Sequence, residues 1–336
     1  MRVGTPAEQD AAWPRPSWTQ VLAALGAAAL LGAAAYAGVS FSAATAAAQR
    51  RVSGRSALMR TRFGGLEYAV EGQGSAALLM IHGTGGGFDQ GLALSDRLRA
   101  RGLRVVAPSR FGYLRSDFPP DPSSENQADA LVELLDHLGL DRLPVAGCSA
   151  GALAAVQLAL RHPDRCSGLI LLVPAANVRG RDPVEMGPLL RSAVERLLAS
   201  DLLFWAALKA VPELLVGTLL ATDPRLLAEV PPAERRRARA ILADLMPIRA
   251  RRRGLLNDAR LAGDPARVDF GRISAPTLVI SAEDDRFGTA ATARDIAAAV
   301  PRARLVVYPS GGHIWLGHHD EVADEVARFV SELAAA

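Results

Sequence analysis

Three short segments carry the residue types that hydrolytic chemistry uses, in a fixed order: Gly147-Cys148-Ser149-Ala150-Gly151, Glu283-Asp284-Asp285 and Gly311-Gly312-His313. A hydroxyl, a carboxylate and an imidazole in that order can serve as nucleophile, orienting acid and general base. The apolar run Leu143-Pro144-Val145-Ala146 leads into the first segment, and Ala150-Gly151-Ala152-Leu153-Ala154-Ala155 continues as a good helix former. A serine on such a strand-to-helix turn is pushed into a strained backbone that exposes its hydroxyl. Glycines two residues either side let strand and helix approach closely. Upstream, Ala76-Ala77-Leu78-Leu79-Met80-Ile81 reads as a buried parallel strand ending in His82-Gly83-Thr84-Gly85-Gly86-Gly87. That loop sits where a backbone N–H can meet a developing oxyanion.

With these separated motifs in this order, the chain resembles the α/β-hydrolase superfamily over roughly residues 56 to 333. The resemblance implies Ser149 as nucleophile and His313 as base, the latter following the run Leu305-Val306-Val307-Tyr308 as the family's histidine does. His318 and His319 fall too close to the final helix to fit. The family's acid comes five residues after the last core-facing aliphatic of its strand; counted from Ile280 this is Asp285, with Asp284 as the alternative. The implied oxyanion donors are the backbone N–H groups of Ala150 and Thr84, with Gly85 as the alternative to Thr84. His82 resembles the family's loop-holding histidine, and His162 and His137 read as structural and surface residues. Arg110-Phe111-Gly112-Tyr113 is expected to shape the pocket floor, although Ser109 stands where many relatives carry an aspartate.

The resemblance also implies an activity. The expected function is cleavage of a carboxylic ester or similar acyl bond of a small molecule through an acyl-enzyme, with no cofactor and no metal. Serine at the elbow argues against the branches that use an aspartate there. Cofactor-free perhydrolysis and carbon–carbon bond hydrolysis with the same three residues are alternatives, as is a non-catalytic ligand-binding member.

Chemistry of this kind needs a scaffold that brings distant segments together. Ala57–Arg62 and Leu66–Val70 flank Gly64-Gly65 and read as an opening hairpin. Strands over Leu103–Ala107, Gly168–Val173, Pro276–Ser281 and Arg304–Tyr308 then alternate with helices such as Asn126–Leu138 and Glu321–Leu333. This alternation predicts an α/β fold: a mainly parallel, twisted sheet with helices on both faces, and the motifs at the carboxyl ends of its strands. Residues 176 to about 260 break the pattern with Pro-punctuated helical runs (Leu189–Leu198, Leu202–Leu215, Ala233–Leu245), where the superfamily carries a helical cap. Leu202, Leu203, Phe204, Trp205, Leu214 and Leu215 are expected partly as packing and partly as pocket lining.

Composition narrows the classes. Half of the 336 residues are apolar, enough to fill a large core, and the net charge is only +3. Lys209 is the sole lysine, and no basic stripe with interleaved aromatics points to nucleic acid. Cys148 and Cys166 fall at opposite ends of neighbouring parallel strands, ~15 Å apart at ~3.3 Å per residue, so no disulfide is expected. Cys148 reads as packing, because Ser149 holds the middle of the elbow.

Residues 1–55 read as a leader before a hydrolase domain over 56–336. No charged residue occurs from Pro16 to Gln49, and the segment from about 19 to 48 is long enough for a membrane span. Trp13 and Trp18 flank one end and Arg50, Arg51 and Arg55 the other. With Arg60 and Arg62 they outnumber Arg2 and Arg15, which predicts a single-pass anchor and a cytoplasmic hydrolase domain. The alternatives are a signal peptide cleaved at Ala46-Ala47-Ala48, giving an exported protein, and an alanine-rich linker. Amino-terminal sequencing of the native protein separates them. An anchor gives a start at or near Met1, whereas a start near Gln49 removes the anchor reading.

Overall fold

Runs of β-branched and other apolar residues, each bounded by turn-forming residues, become eight strands of a single sheet in the computed structural model, which describes residues 17–177 and 187–335. They are β1 (Ala57–Thr61), β2 (Gly64–Glu71), β3 (Ala77–Ile81), β4 (Arg104–Pro108), β5 (Leu143–Cys148), β6 (Cys166–Leu172), β7 (Thr277–Ala282) and β8 (Ala303–Tyr308). The spatial order is β1-β2-β4-β3-β5-β6-β7-β8. β2 pairs antiparallel with both β1 and β4, and the remaining neighbours are parallel.

Every residue of β5 and β7 is buried, as expected for parallel strands covered on both faces. Along β3, Leu79 and Ile81 enter one core cluster while Leu78 and Met80 enter the other, following the two-residue period of a strand. Leu131, Leu134 and Leu135 of the helix Ser124–His137 belong to the first cluster. Phe88 and Leu92 of Phe88–Leu94, with Val322, Val326 and Phe329 of His319–Ala335, belong to the second. The β5–β6 register places Leu143 against Cys166 and Cys148 against Leu172, so the two cysteines stay at opposite strand ends, free and buried.

Two details depart from the sequence reading. Gly64 and Gly65 are not the hairpin turn: Thr61 already pairs with Gly64, and both glycines lie in β2. Asp117 explains their type, since its carboxylate accepts the Gly65 N–H at 2.7 Å and lies where a Cβ on Gly64 would be, 2.7 Å away. The expected helix Leu202–Leu215 is two helices, Asp201–Ala210 and Pro212–Leu219, at 108° to each other. Pro212 has no N–H to continue the first helix and restricts Val211 before it. Together with Pro188–Leu198, Leu226–Glu229, Pro232–Ala243 and Arg252–Gly263, these form the insertion between β6 and β7.

The leader contains a helix from Trp18 to Val52, 35 residues long, with a stretch of mean hydropathy 1.8 that is apolar and long enough to cross a membrane or to act as a signal sequence. The described residues up to Ala44 belong to one unit; Thr45 onward belongs with the sheet-bearing body. Arg2, Trp13, Arg15 and Pro16 lie outside the described residues.

Candidate active site

The site begins with backbone crowding after β5. A Cβ on Gly147 would lie 2.7 Å from the Gly151 carbonyl oxygen and 2.8 Å from Ala152 Cα, and one on Gly151 would lie 2.5 Å from the Ile81 and His82 carbonyl oxygens. Only glycine lets β5, the helix Gly151–Arg161 and the end of β3 meet this closely. Between them Ser149 is held at φ +50, a left-handed conformation that costs an L-residue roughly 1–2 kcal/mol. Its N–H donates to the Leu172 carbonyl at 2.9 Å, tying the turn to β6.

His313 arrives from the loop after β8. Its Nε2 lies 2.9 Å from Ser149 Oγ and its Nδ1 2.8 Å from Asp285 Oδ2. With Nδ1–H donated to the carboxylate, Nε2 is left to accept the serine proton. The Asp285 side chain is fully buried. It also accepts the Phe287 N–H at 2.9 Å and the Thr289 hydroxyl, so its orientation is fixed from several sides. The neighbouring Asp284 makes no bond to the ring; it accepts the N–H groups of Gly312 at 2.8 Å and Gly311 at 3.3 Å. Of the two aspartates, one holds the imidazole and the other holds its loop. Phe287 stands edge-on to His313, ring centres 4.9 Å apart.

The loop after β3 approaches the same point: a Cβ on Gly83 would lie 3.2 Å from Ser149 Cβ. Its N–H groups divide clearly. Gly83 donates to Gln90 Oε1 at 3.0 Å, Gly86 to the Gly83 carbonyl at 3.2 Å, and Gly85 to Tyr113 Oη at 3.1 Å. Gly85, the alternative donor, is therefore engaged. Thr84 N–H and Ala150 N–H have no intramolecular acceptor among the described residues.

Arg110-Phe111-Gly112-Tyr113 does not form the pocket floor. Arg110 lies behind the loop, donating to the His82 and Gly83 carbonyls at 3.0 and 3.1 Å and by both arms of its fork to Asp258 at 2.6 and 2.5 Å. Tyr113 also donates to Asp258. Burial opposes the Arg110 charge, but Asp258 outweighs it and raises the guanidinium pKa. Asp258 lies 148 positions away in the sequence, and no local pattern marks it. Ser109 donates to the buried carboxylate of Glu67 from β2 at 3.0 Å.

His82 donates from Nδ1 to the Gly83 carbonyl at 2.7 Å and accepts the Arg110 N–H at Nε2, 2.9 Å. Burial, reinforced by Arg110, pushes its pKa well below the ordinary value, so it is neutral. Burial pushes the Cys148 thiol up to about 12, leaving it a poor nucleophile. His162 bonds Asp129 at 2.7 Å, His137 meets Tyr68 Oη at 3.1 Å, and His318 and His319 pair with Glu321 and Asp96. Among the described residues no group of three His, Cys, Asp or Glu side chains could hold a metal.

Ser149, Thr84 and His313 open into a cavity of about 240 Å³ lined mainly by apolar side chains, among them Leu198, Phe204, Leu219, Ile241 and Leu245. Of the insertion residues expected to line it, only Phe204 does. Trp205 and Leu215 are buried in packing, and Leu202, Leu203 and Leu214 face outward, 50–60% exposed. Arg237, the one cationic arginine or lysine among the described lining residues, is paired with Glu234 at 2.8 Å and donates to the Ile314 carbonyl.

Residues 76–319 match the family model described as alpha/beta hydrolase fold. The chain is similar to a 2-hydroxy-6-oxononadienedioate/2-hydroxy-6-oxononatrienedioate hydrolase of Paraburkholderia xenovorans (strain LB400), 30% identical over 273 residues, covering 76% of this chain and 86% of that protein. It is 26% identical over 270 residues to a 2-hydroxy-6-oxo-6-phenylhexa-2,4-dienoate hydrolase of Burkholderia cepacia, covering 72% and 82%. Among solved structures it is similar to an alpha/beta hydrolase fold protein from Nakamurella multipartita, with a TM-score of 0.67 and 25% identity over 84% of this chain and 100% of that one.

The neutral buried His82 has a consequence for stability. An unfolded chain protonates this histidine near pH 6.5, whereas the folded protein leaves it neutral until well below that. The unfolded state then binds more protons below about pH 6.5, so stability falls as pH drops, by up to about 1.4 kcal/mol per pH unit. Urea unfolding of wild type and His82→Gln at pH 8, 6 and 5 tests this. The variant is expected to be less stable at pH 8 but to lose one proton's worth of the acid slope. Parallel profiles would show that His82 titrates normally in the fold.

Proposed function

Because this chain belongs to the alpha/beta hydrolase fold family, we propose that it is a serine hydrolase whose Ser149, His313 and Asp285 cleave a carbon–carbon bond beside a ketone carbonyl. The observation that carries the chemistry is His313 spanning Ser149 Oγ and Asp285 Oδ2 at 2.9 and 2.8 Å, beside two backbone N–H groups with no acceptor among the described residues. Ser149 Oγ attacks the carbonyl carbon as Nε2 takes its proton, and the oxyanion is met by Thr84 and Ala150 N–H. The imidazolium, held by Asp285, returns that proton to the departing carbon, and water then releases the acyl group by the same base. The choice of bond rests on the relatives' names, which favour the carbon–carbon alternative over the ester expected at first.

One observation favours an ester as the second reading. The two names ending in dioate describe substrates with two carboxylates, yet the cavity is apolar and its Arg237 is already paired. An apolar ester, or a ketone with an aromatic end, suits that lining better. The helical insertion acts as the cap that supplies this wall. In the same reading the leader helix is a single-pass anchor with the hydrolase body in the cytoplasm. What supports this reading is that Ala48 is 2% exposed and residues from Thr45 belong with the body, so the end of the helix is part of the hydrolase body.

Turnover of 2-hydroxy-6-oxo-6-phenylhexa-2,4-dienoate and of a chain-length series of p-nitrophenyl esters, by wild type and Ser149→Ala, tests the substrate assignment. The carbon–carbon reading expects the dienoate to be preferred in kcat/KM. Turnover of esters alone transfers the assignment to the second reading. A folded wild type that turns over neither and never reacts with a fluorophosphonate is a binding protein.

Ser149→Ala and His313→Ala should each lower kcat by several orders of magnitude, with the double variant scarcely worse than either, because the members act as a unit. Asp285→Asn should cost about 10⁴ in kcat and Asp284→Asn far less, since Asp284 supports only the loop. Multiplicative losses, or a reversal of the two aspartates, would redraw the mechanism.

A further inference from the structure

One partly buried charge cluster lies outside the proposed chemistry and yet touches both walls of the site. Arg51, in the last turn of the leader helix, donates from Nε to Asp89 Oδ2 at 3.1 Å, pairs through Nη1 with Asp244 Oδ1 at 3.0 Å, and donates from Nη2 to the Asp244 carbonyl at 2.9 Å and to the Met246 carbonyl. Asp89 is shared with Arg251, whose side chain is wholly buried and whose two arms reach the carboxylate at 3.0 and 2.7 Å. Arg251 also donates to the Gly86 carbonyl, at the end of the loop that carries Thr84. Between the two carbonyl contacts of Arg51, at Asp244 and Met246, lies Leu245. Its side chain lines the cavity and occupies the space a Cβ on Gly85 would need, 2.3 Å away. One guanidinium thus fixes the segment that presses on the loop and, through Asp89 and Arg251, the loop itself.

We propose that Arg51 is a positioning residue of the hydrolase: it holds the oxyanion loop and the Leu245 wall in register, so the end of the leader helix is a working part of the site. Removing it leaves Asp244 without its arginine and Asp89 with one partner instead of two. Burial already pushes the Asp244 carboxyl up, with Arg51 opposing that shift, so the segment loses the charge that makes its position favourable. The donor at Thr84 then wanders from where the oxyanion forms, and a misplacement near 1 Å can cost on the order of 10²-fold in rate.

This proposal rests on the serine-hydrolase reading above, and its test separates the two. Full-length wild type, Arg51→Ala, Arg51→Lys, Asp244→Asn and Arg50→Ala, purified in detergent, are compared for p-nitrophenyl butyrate turnover and for the rate of fluorophosphonate labelling. Arg51→Ala is expected to lose about ten- to hundredfold in kcat, with KM little changed and labelling slowed in parallel. Arg51→Lys should recover part of the loss, since an ammonium keeps the charge but cannot reach every partner. Arg50, exposed on the same turn, should tolerate alanine. If Arg51→Ala fails to fold, Asp244→Asn carries the test with a smaller loss in kcat. A folded Arg51→Ala, or failing that a folded Asp244→Asn, with wild-type kcat, or a loss confined to KM, overturns the proposal. A wild type that neither labels nor turns over, or a Ser149→Ala variant that keeps full activity, overturns the hydrolase reading beneath it and the proposal with it.

Discussion

Backbone contact between β5, the helix that follows it and the end of β3 is the constraint on which the site depends. Side chains at positions 147 and 151 would collide with carbonyl oxygens of the opposing segments, so glycine there is a condition of the geometry. Once the three segments meet, Ser149 has no relaxed conformation available and takes φ +50. Its hydroxyl then emerges toward His313, and its own turn leaves Ala150 N–H without an internal acceptor among the described residues. The strain at one residue is offset by the burial of β3, β5 and β6 around it.

Much of this was legible in the sequence because it is written locally. The alternation in Leu78-Leu79-Met80-Ile81 and the unbroken apolar run before Ser149 report strands covered on both faces. Glycines at 147 and 151 report close approach without any knowledge of what approaches. Less legible were features whose cause is far away in the chain. Gly64 and Gly65 look like a turn until Asp117 is seen packed on them. Arg110 looks like pocket floor until Asp258 pairs with it behind the loop. Arg51 looks like the flank of a membrane segment, since nothing near it announces Asp89 or Asp244. Charges that find partners from 38 to 193 residues away carry no periodic signal, and they brace the loops around this site.

The cavity adds a different kind of information. Its walls come partly from the insertion and partly from the loops around the sheet, and they are mainly apolar with an arginine already paired. Sheet and elbow fix what bond chemistry is available; the insertion fixes what can reach it. This division is general among folds that graft varied sites on one scaffold.

Asp284 and Asp285 give the site a further mechanical property. Adjacent residues at the end of β7 bind two parts of one unit: Asp285 the imidazole, Asp284 the backbone of the loop that carries it. The carboxylate and the imidazole therefore share a single reference point. The end of β7 thus holds the His313 loop by two separate bonds, one to its backbone and one to its ring. Ser149 is referenced instead to β5 and β6, the latter paired directly with β7. The 2.9 Å contact between Nε2 and Oγ thus joins groups carried by different strands of one continuous sheet.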